Sequence, residues 1–275
     1  MLKKLLKYDL KAVFKYWWIA AVISVAAAVV GGFCSSILNS EKELPPSIVT
    51  TAEILLMLVI FSFVAFCLVA MILVFIRFYK NFFTDEGYLT FTLPVRRQDL
   101  PNAKVITGGI ALTATLVMCV LNCVLIGLIS DGDYFFSAEF IHDLQNAIRS
   151  MWNELGGYFP VYAVELLVLL VVCVLFTILF LYCCVTFASV IVKKGKLFAA
   201  IGIYYGANSI FSFLLQLFLL FGITSLSGWL SALPGELENP LMALVLLGLI
   251  CFVAMFCGLL YAAQYWMLER KLNLS

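Results

Sequence analysis

Charge is what this sequence has least of. Asp, Glu, Lys and Arg make up 12% of its 275 residues, about half of the roughly 25% usual in soluble domains. Hydrophobic residues make up 64%, against about 45–50% in an ordinary domain, and the mean hydropathy is +1.10. A soluble globule of this length cannot cover so much apolar surface. Disorder is excluded by the same figures, because disordered chains are rich in charge and poor in hydrophobes. Histidine is scarcer still: His142 stands alone, so no His-based metal pair can form. The nine cysteines all fall inside apolar runs, without CxxC or Cys/His spacing. That excludes a secreted disulfide framework and a zinc site. There is no G-x-S-x-G and no HExxH, and Gly195-Lys196 lacks the first glycine and the Ser/Thr of a Walker A loop. No catalytic residue, metal site or ATP-binding motif is indicated, and nothing suggests nucleic acid as a partner.

What is present is a set of six apolar runs, about Trp17–Leu38, Ala52–Ile76, Val105–Ile129, Val161–Val192, Leu197–Gly222 and Leu241–Met267. Each exceeds the ~20 residues that cross a bilayer core. The runs are continuously apolar and do not alternate, so they read as helices and not as barrel strands. The expected fold class is all-α, a polytopic membrane protein with six transmembrane helices. At 1.5 Å per residue the fourth run is roughly 48 Å long, so it should tilt, bend or project into water.

Lysine and arginine set the orientation. Fifteen of them lie before the first span, between spans two and three, between spans four and five, and in the tail; only Lys42 and Arg149 lie on the other side. The positive-inside rule therefore places both termini in the cytoplasm of a plasma-membrane protein. The basic start could pass for a secretory signal, but the span-length apolar run and the absence of an A-x-A site argue against cleavage. Residues 1–16 form a two-sided pattern. Leu2, Leu5, Leu6, Leu10, Val13, Phe14 and Trp17 recur at helical spacing, with Lys3, Lys4, Lys7, Lys11 and Lys15 opposite. This predicts an interfacial helix on the inner leaflet, in contact with lipid, with Trp17 and Trp18 marking the membrane boundary. An outer amphipathic helix capping the bundle is expected within 130–160, where Phe140, Ile141, Leu144, Ile148, Met151, Trp152 and Leu155 line one face. Residues 223–239, rich in Ser, Gly and Pro, predict a re-entrant or interfacial turn on the same side.

Polar groups inside the spans are few. Glu165, Asn122, Asn208 and Gln216 are the candidates for a substrate path, although hydrogen bonding between helices is the default reading for the three amides. Glu53 and Lys104 fall at span ends, where long side chains reach water easily. Packing signals are clearer. Ala20, Ser24, Ala28 and Gly32 form a small-residue stripe on the first span, and Gly202 and Gly206 form a GxxxG on the fifth. Either set permits close helix approach, within one chain or between two.

The inner loop at 77–103 mixes aromatics with charge, as a docking surface requires and a plain connector does not. Its stretch Tyr79-Lys80-Asn81-Phe82-Phe83-Thr84-Asp85-Glu86-Gly87-Tyr88-Leu89-Thr90-Phe91-Thr92-Leu93-Pro94-Val95 resembles the signature of bacterial ABC-transporter permeases of the type-2 exporter class. The six spans, inside termini, basic N-terminal helix and turn before the last span are similar to that class along the whole chain. The sequence departs from it at Leu100-Pro101, where such permeases more often continue with helix-forming residues; Pro101 suits the first turn of the third span.

The resemblance implies a permease subunit without its own cofactor. ATP and Mg would be bound by a separate cytosolic ATP-binding-cassette subunit docked on the inner loop. Phe82, Phe83, Asp85, Glu86, Gly87, Tyr88, Pro94 and Arg96 would carry the coupling. A second permease chain, identical or paralogous, would pair across the first and fifth spans. The apolar spans admit a hydrophobic or amphipathic substrate without choosing one. Two other classes remain open: an ion-coupled secondary transporter, which needs intramembrane carboxylates, and a non-transporting scaffold or sensor that recruits a cytosolic partner.

Overall fold

A computed structural model describes residues 2–40, 45–83, 99–135, 137–192, 195–230 and 235–270. Among these the regular structure is entirely helical: α1 (Leu2–Leu38), α2 (Pro46–Phe83), α3 (Asp99–Ser130), the single turn α4 (Gly132–Phe135), α5 (Ala138–Leu155), a 3₁₀ turn (Gly156–Tyr158), α6 (Phe159–Ile191), α7 (Lys196–Leu230) and α8 (Gly235–Arg270). Six helices are long and apolar enough to cross a membrane. Their outward side chains agree with a lipid solvent. Ile60, Phe61, Val120, Leu167 and Leu244 are each more than half exposed, which only an apolar surrounding makes inexpensive.

The chain divides into two compact units. The first holds α1, α2 as far as Phe78, α3, α4 and α5 as far as Arg149; the second holds the remainder. In the first unit α1 runs unbroken from Leu2 into the first span, with no separation between a surface helix and a crossing helix. Its inward residues are Asp9, Val13, Trp17, Ala21, Ser24 and Ala28, while Lys7, Lys11 and Lys15 are exposed. Trp17 is buried within the unit. Its indole packs on Phe66 of α2 (ring centroids 5.7 Å apart) and donates to Thr115 Oγ1 of α3 at 2.8 Å. Trp18 remains exposed.

The middle of the α1–α3 seam keeps one register. Trp17 meets Thr115, and Asn122 Nδ2 donates to Ser24 Oγ at 3.0 Å. Both pairs are offset by 98 residues, so the two helices run parallel and repeat their contact every two turns. Farther along, Ser35 and Ser130 share a hydrogen bond of 3.0 Å. The small-residue stripe lies on this seam. Ser24, Ala28 and Gly32 are buried, and a Cβ on Gly32 would lie 2.6 Å from Ile129 Cβ. The stripe is thus used within the chain, against α3.

In the second unit α6 is the central helix, burying Ile178, Leu181, Tyr182, Val185 and Ala188. Phe176 and Phe180 pack at a tilt against Phe211 of α7, with centroids 5.2 and 6.2 Å away, and Phe180 also meets Tyr204 at 5.9 Å. Against α8, the Tyr162 hydroxyl donates to the Asn239 carbonyl at 2.8 Å, next to Pro240 inside the helix. The segment expected as a re-entrant or interfacial turn is helical over 223–230 and again from Gly235.

Candidate functional site

Three charged side chains of the first unit converge where α1, α2 and α3 meet. Asp9 is 3% exposed, and Oδ1 accepts from Arg77 Nε at 3.3 Å and Nη2 at 3.2 Å. Oδ2 accepts from Lys104 Nζ. Lys104 was expected to snorkel from a span end; its side chain is instead 3% exposed and paired. The physical reason is that a buried carboxylate offers an ammonium a stronger partner than distant water does. Arg77 is partly open, at 32%. The arrangement matters because of sequence position. Arg77 lies near the end of α2 and Lys104 near the start of α3, so one carboxylate ties the helix ends on either side of residues 84–98 to the N-terminal helix.

Of the residues expected to couple to a partner, Asp85, Glu86, Gly87, Tyr88, Pro94 and Arg96 lie outside the described residues. Phe82 and Phe83 close α2. Phe83 is half-buried, with its ring 6.0 Å from Tyr79 and 6.4 Å from Phe82. Phe82 is 1% exposed, so its ring anchors the end of α2 and does not stand free. Pro101 sits in the first turn of α3, where its missing N–H costs nothing.

The four polar candidates for a path fall in different units: Asn122 in the first, Glu165, Asn208 and Gln216 in the second. Asn122 is committed to Ser24 on the α1–α3 seam. Asn208 and Gln216 are exposed on α7, whereas Glu165 is buried on α6 with Oε2 unpartnered. No hydrogen bond among the described residues links these four to one another. Gly202 and Gly206 are exposed, with nothing within 4 Å of a Cβ at either. Glu53 is exposed near the start of α2.

Five buried polar residues escape the sequence reading: Asp9, Gln264, and Thr107, Thr115 and Thr186, whose hydroxyls bond back to their own helices. Asp9 is the sole acid among the N-terminal lysines, which hides it in a basic stretch. Its signal is positional: Asp9, Val13 and Trp17 recur every four residues and so share the buried face. Gln264, 1% exposed with neither amide atom partnered, lies within the sixth apolar run, the same signal that marks Gln216 in the fifth. No group of three or more His, Cys, Asp or Glu residues suited to a metal occurs among the described residues.

The fold and this charge cluster together define an all-α, multi-pass membrane protein in which one buried and one partly open ion pair fix the helix ends on either side of residues 84–98. Comparison with family models, with curated proteins and with solved structures finds no match.

Proposed function

We propose that this chain is the membrane-spanning subunit of an ATP-driven exporter of the ABC type, with a separate ATPase docked on the 77–103 loop. The observation that carries the reading is the aromatic and acidic stretch Tyr79–Val95, which resembles the docking segment of type-2 permeases. The charge cluster supports it mechanically. A loop that receives force from a partner must pass that force to the spans, and Asp9 joins α1 to both loop flanks through Arg77 and Lys104. Movement of the loop would then move three helices together. The substrate would be hydrophobic or amphipathic, moved between two permease chains, with ATP and Mg held by the partner.

The test is affinity purification of the tagged chain in mild detergent, with mass spectrometry of what stays bound. The expected result is a stoichiometric soluble protein carrying a Walker A motif, lost when Asp85 and Glu86 are both changed to Lys. One observation favours a second reading, an ion-coupled transporter: Glu165 is a buried carboxylate with an unpartnered oxygen inside a span. If the chain purifies alone and crosslinking in native membranes also captures no ATPase, the exporter reading fails. Transport abolished by Glu165→Gln would then establish the second.

A further inference from the structure

Among the described residues, α5 leaves its whole apolar side uncovered. It has 18 residues and none is buried, and at 1.5 Å per residue it is about 27 Å long. Ile141, Leu144, Ile148, Met151 and Trp152 are each about half exposed. At 3.6 residues per turn these side chains, with Phe140 and Leu155, fill an arc of about 120°, and Glu139, His142, Asp143, Asn146, Arg149 and Asn153 fall on the remaining arc. Such two-sidedness, with little net hydrophobicity, belongs to helices that lie in a membrane interface and not to those that cross it.

What surrounds α5 identifies the occupant. Only Gly156–Tyr158 separate it from α6, whose lipid-facing residues Val161, Val164 and Leu167 begin at once. Gly156 takes φ +54°, a conformation that ends a right-handed helix and redirects the chain. The Trp152 ring then packs edge-on against Phe159 at 5.8 Å, holding the end of α5 beside the start of the span. The lipid that must cover Val161 and Val164 is therefore already adjacent to Met151 and Trp152. Tryptophan at this level suits the headgroup boundary. At the other end, α4 braces the polar side. The Tyr134 hydroxyl donates to Asp143 Oδ2 at 2.7 Å, and that hydrogen bond holds the phenol above its ordinary pKa. Pairing with a second copy fits less well. A coiled-coil seam needs three or more heptads and a narrower stripe, and α5 spans two and a half.

We infer that α5 is a lipid-bound interfacial helix, inserting its Ile141–Trp152 face into the bilayer surface at the boundary where α6 enters. The face opposite carries Glu139, Asp143 and Glu154 against Arg149 alone, so insertion is driven by apolar burial and does not depend on anionic lipid. This inference is independent of the exporter reading.

The test places the photocrosslinking amino acid benzoyl-phenylalanine at Leu144 and Ile148, at Asn146 and Asn153 on the polar arc, and at lipid-facing Leu167 as a control. The full-length chain is reconstituted in phosphatidylcholine nanodiscs, irradiated and analysed by mass spectrometry. Phospholipid adducts at Leu144 and Ile148 severalfold above those at Asn146 and Asn153, and near the Leu167 level, are expected. Adducts to this chain's own spans or to a second copy would overturn the inference, as would equal labelling of both arcs. Repeating the experiment with phosphatidylglycerol separates apolar insertion from charge attraction: a severalfold rise there would overturn the stated driving force.

Discussion

Asp9 serves two cations from two other helices, and its removal has a different cost from the removal of the whole pair. Lys104 is buried as deeply as Asp9, so Asp9→Leu leaves a desolvated ammonium without its carboxylate. The expected loss is about 3–5 kcal/mol, because a broken buried pair strands its partner. Changing both residues, Asp9→Leu with Lys104→Met, should recover most of that loss, since apolar replacements of similar volume are often neutral. Arg77→Met alone should cost less than Asp9→Leu, because Arg77 already reaches solvent. SDS-denaturation free energies of the three variants would check this order. A double variant no more stable than Asp9→Leu would show that the pair is not the unit holding the loop flanks. Asp9 was legible only as a position in a four-residue recurrence. Its partners could not be read at all, because pairing at a separation of 68 or 95 residues depends on how three helices meet.

At the scale of elements, the spans were the most legible feature, because a bilayer demands long uninterrupted apolar helices and tolerates little else. The use of their small residues was not legible. The first-span stripe and the Gly202/Gly206 pair look alike in sequence, yet one is covered and the other open. Gly32→Ala would place its Cβ against Ile129 Cβ, an atom bonded directly to the α3 backbone, so rotamer change cannot relieve the clash. α1 and α3 would have to separate, at about 1–3 kcal/mol for overpacking of this kind, and the Ser24–Asn122 and Ser35–Ser130 bonds lie on the same seam. Gly206→Ala meets nothing within 4 Å among the described residues and should be neutral or stabilising by up to about 1 kcal/mol, the helix preference of Ala over Gly. Thermal unfolding in detergent compares the two directly. If Gly206→Ala leaves the chain folded but lowers its recovery as a dimer, the open glycines belong to a second chain.

For the whole molecule, the strongest sequence argument is the distribution of charge and not its amount. The net charge is only +1, which by itself says nothing about placement. Fifteen of 17 Lys and Arg residues nevertheless fall on one side of the six-span reading, and Lys42 and Arg149 on the other. Juxtamembrane cations resist translocation, so this asymmetry should hold 84–98 and both ends in the cytoplasm and send α5 across. Alkaline phosphatase, active only outside the cytoplasm, should be inactive when fused after residue 90 or residue 275 and active after residue 42 or residue 145. A green fluorescent protein series should give the reverse. Activity at 275 with inactivity at 90 would mean an odd number of crossings after the inner loop. That would displace α7 or α8, where the 223–239 segment makes the span count least secure from sequence. Activity at 90 would do more, because no cytosolic ATPase could then reach the aromatic loop and the exporter reading would fall with it.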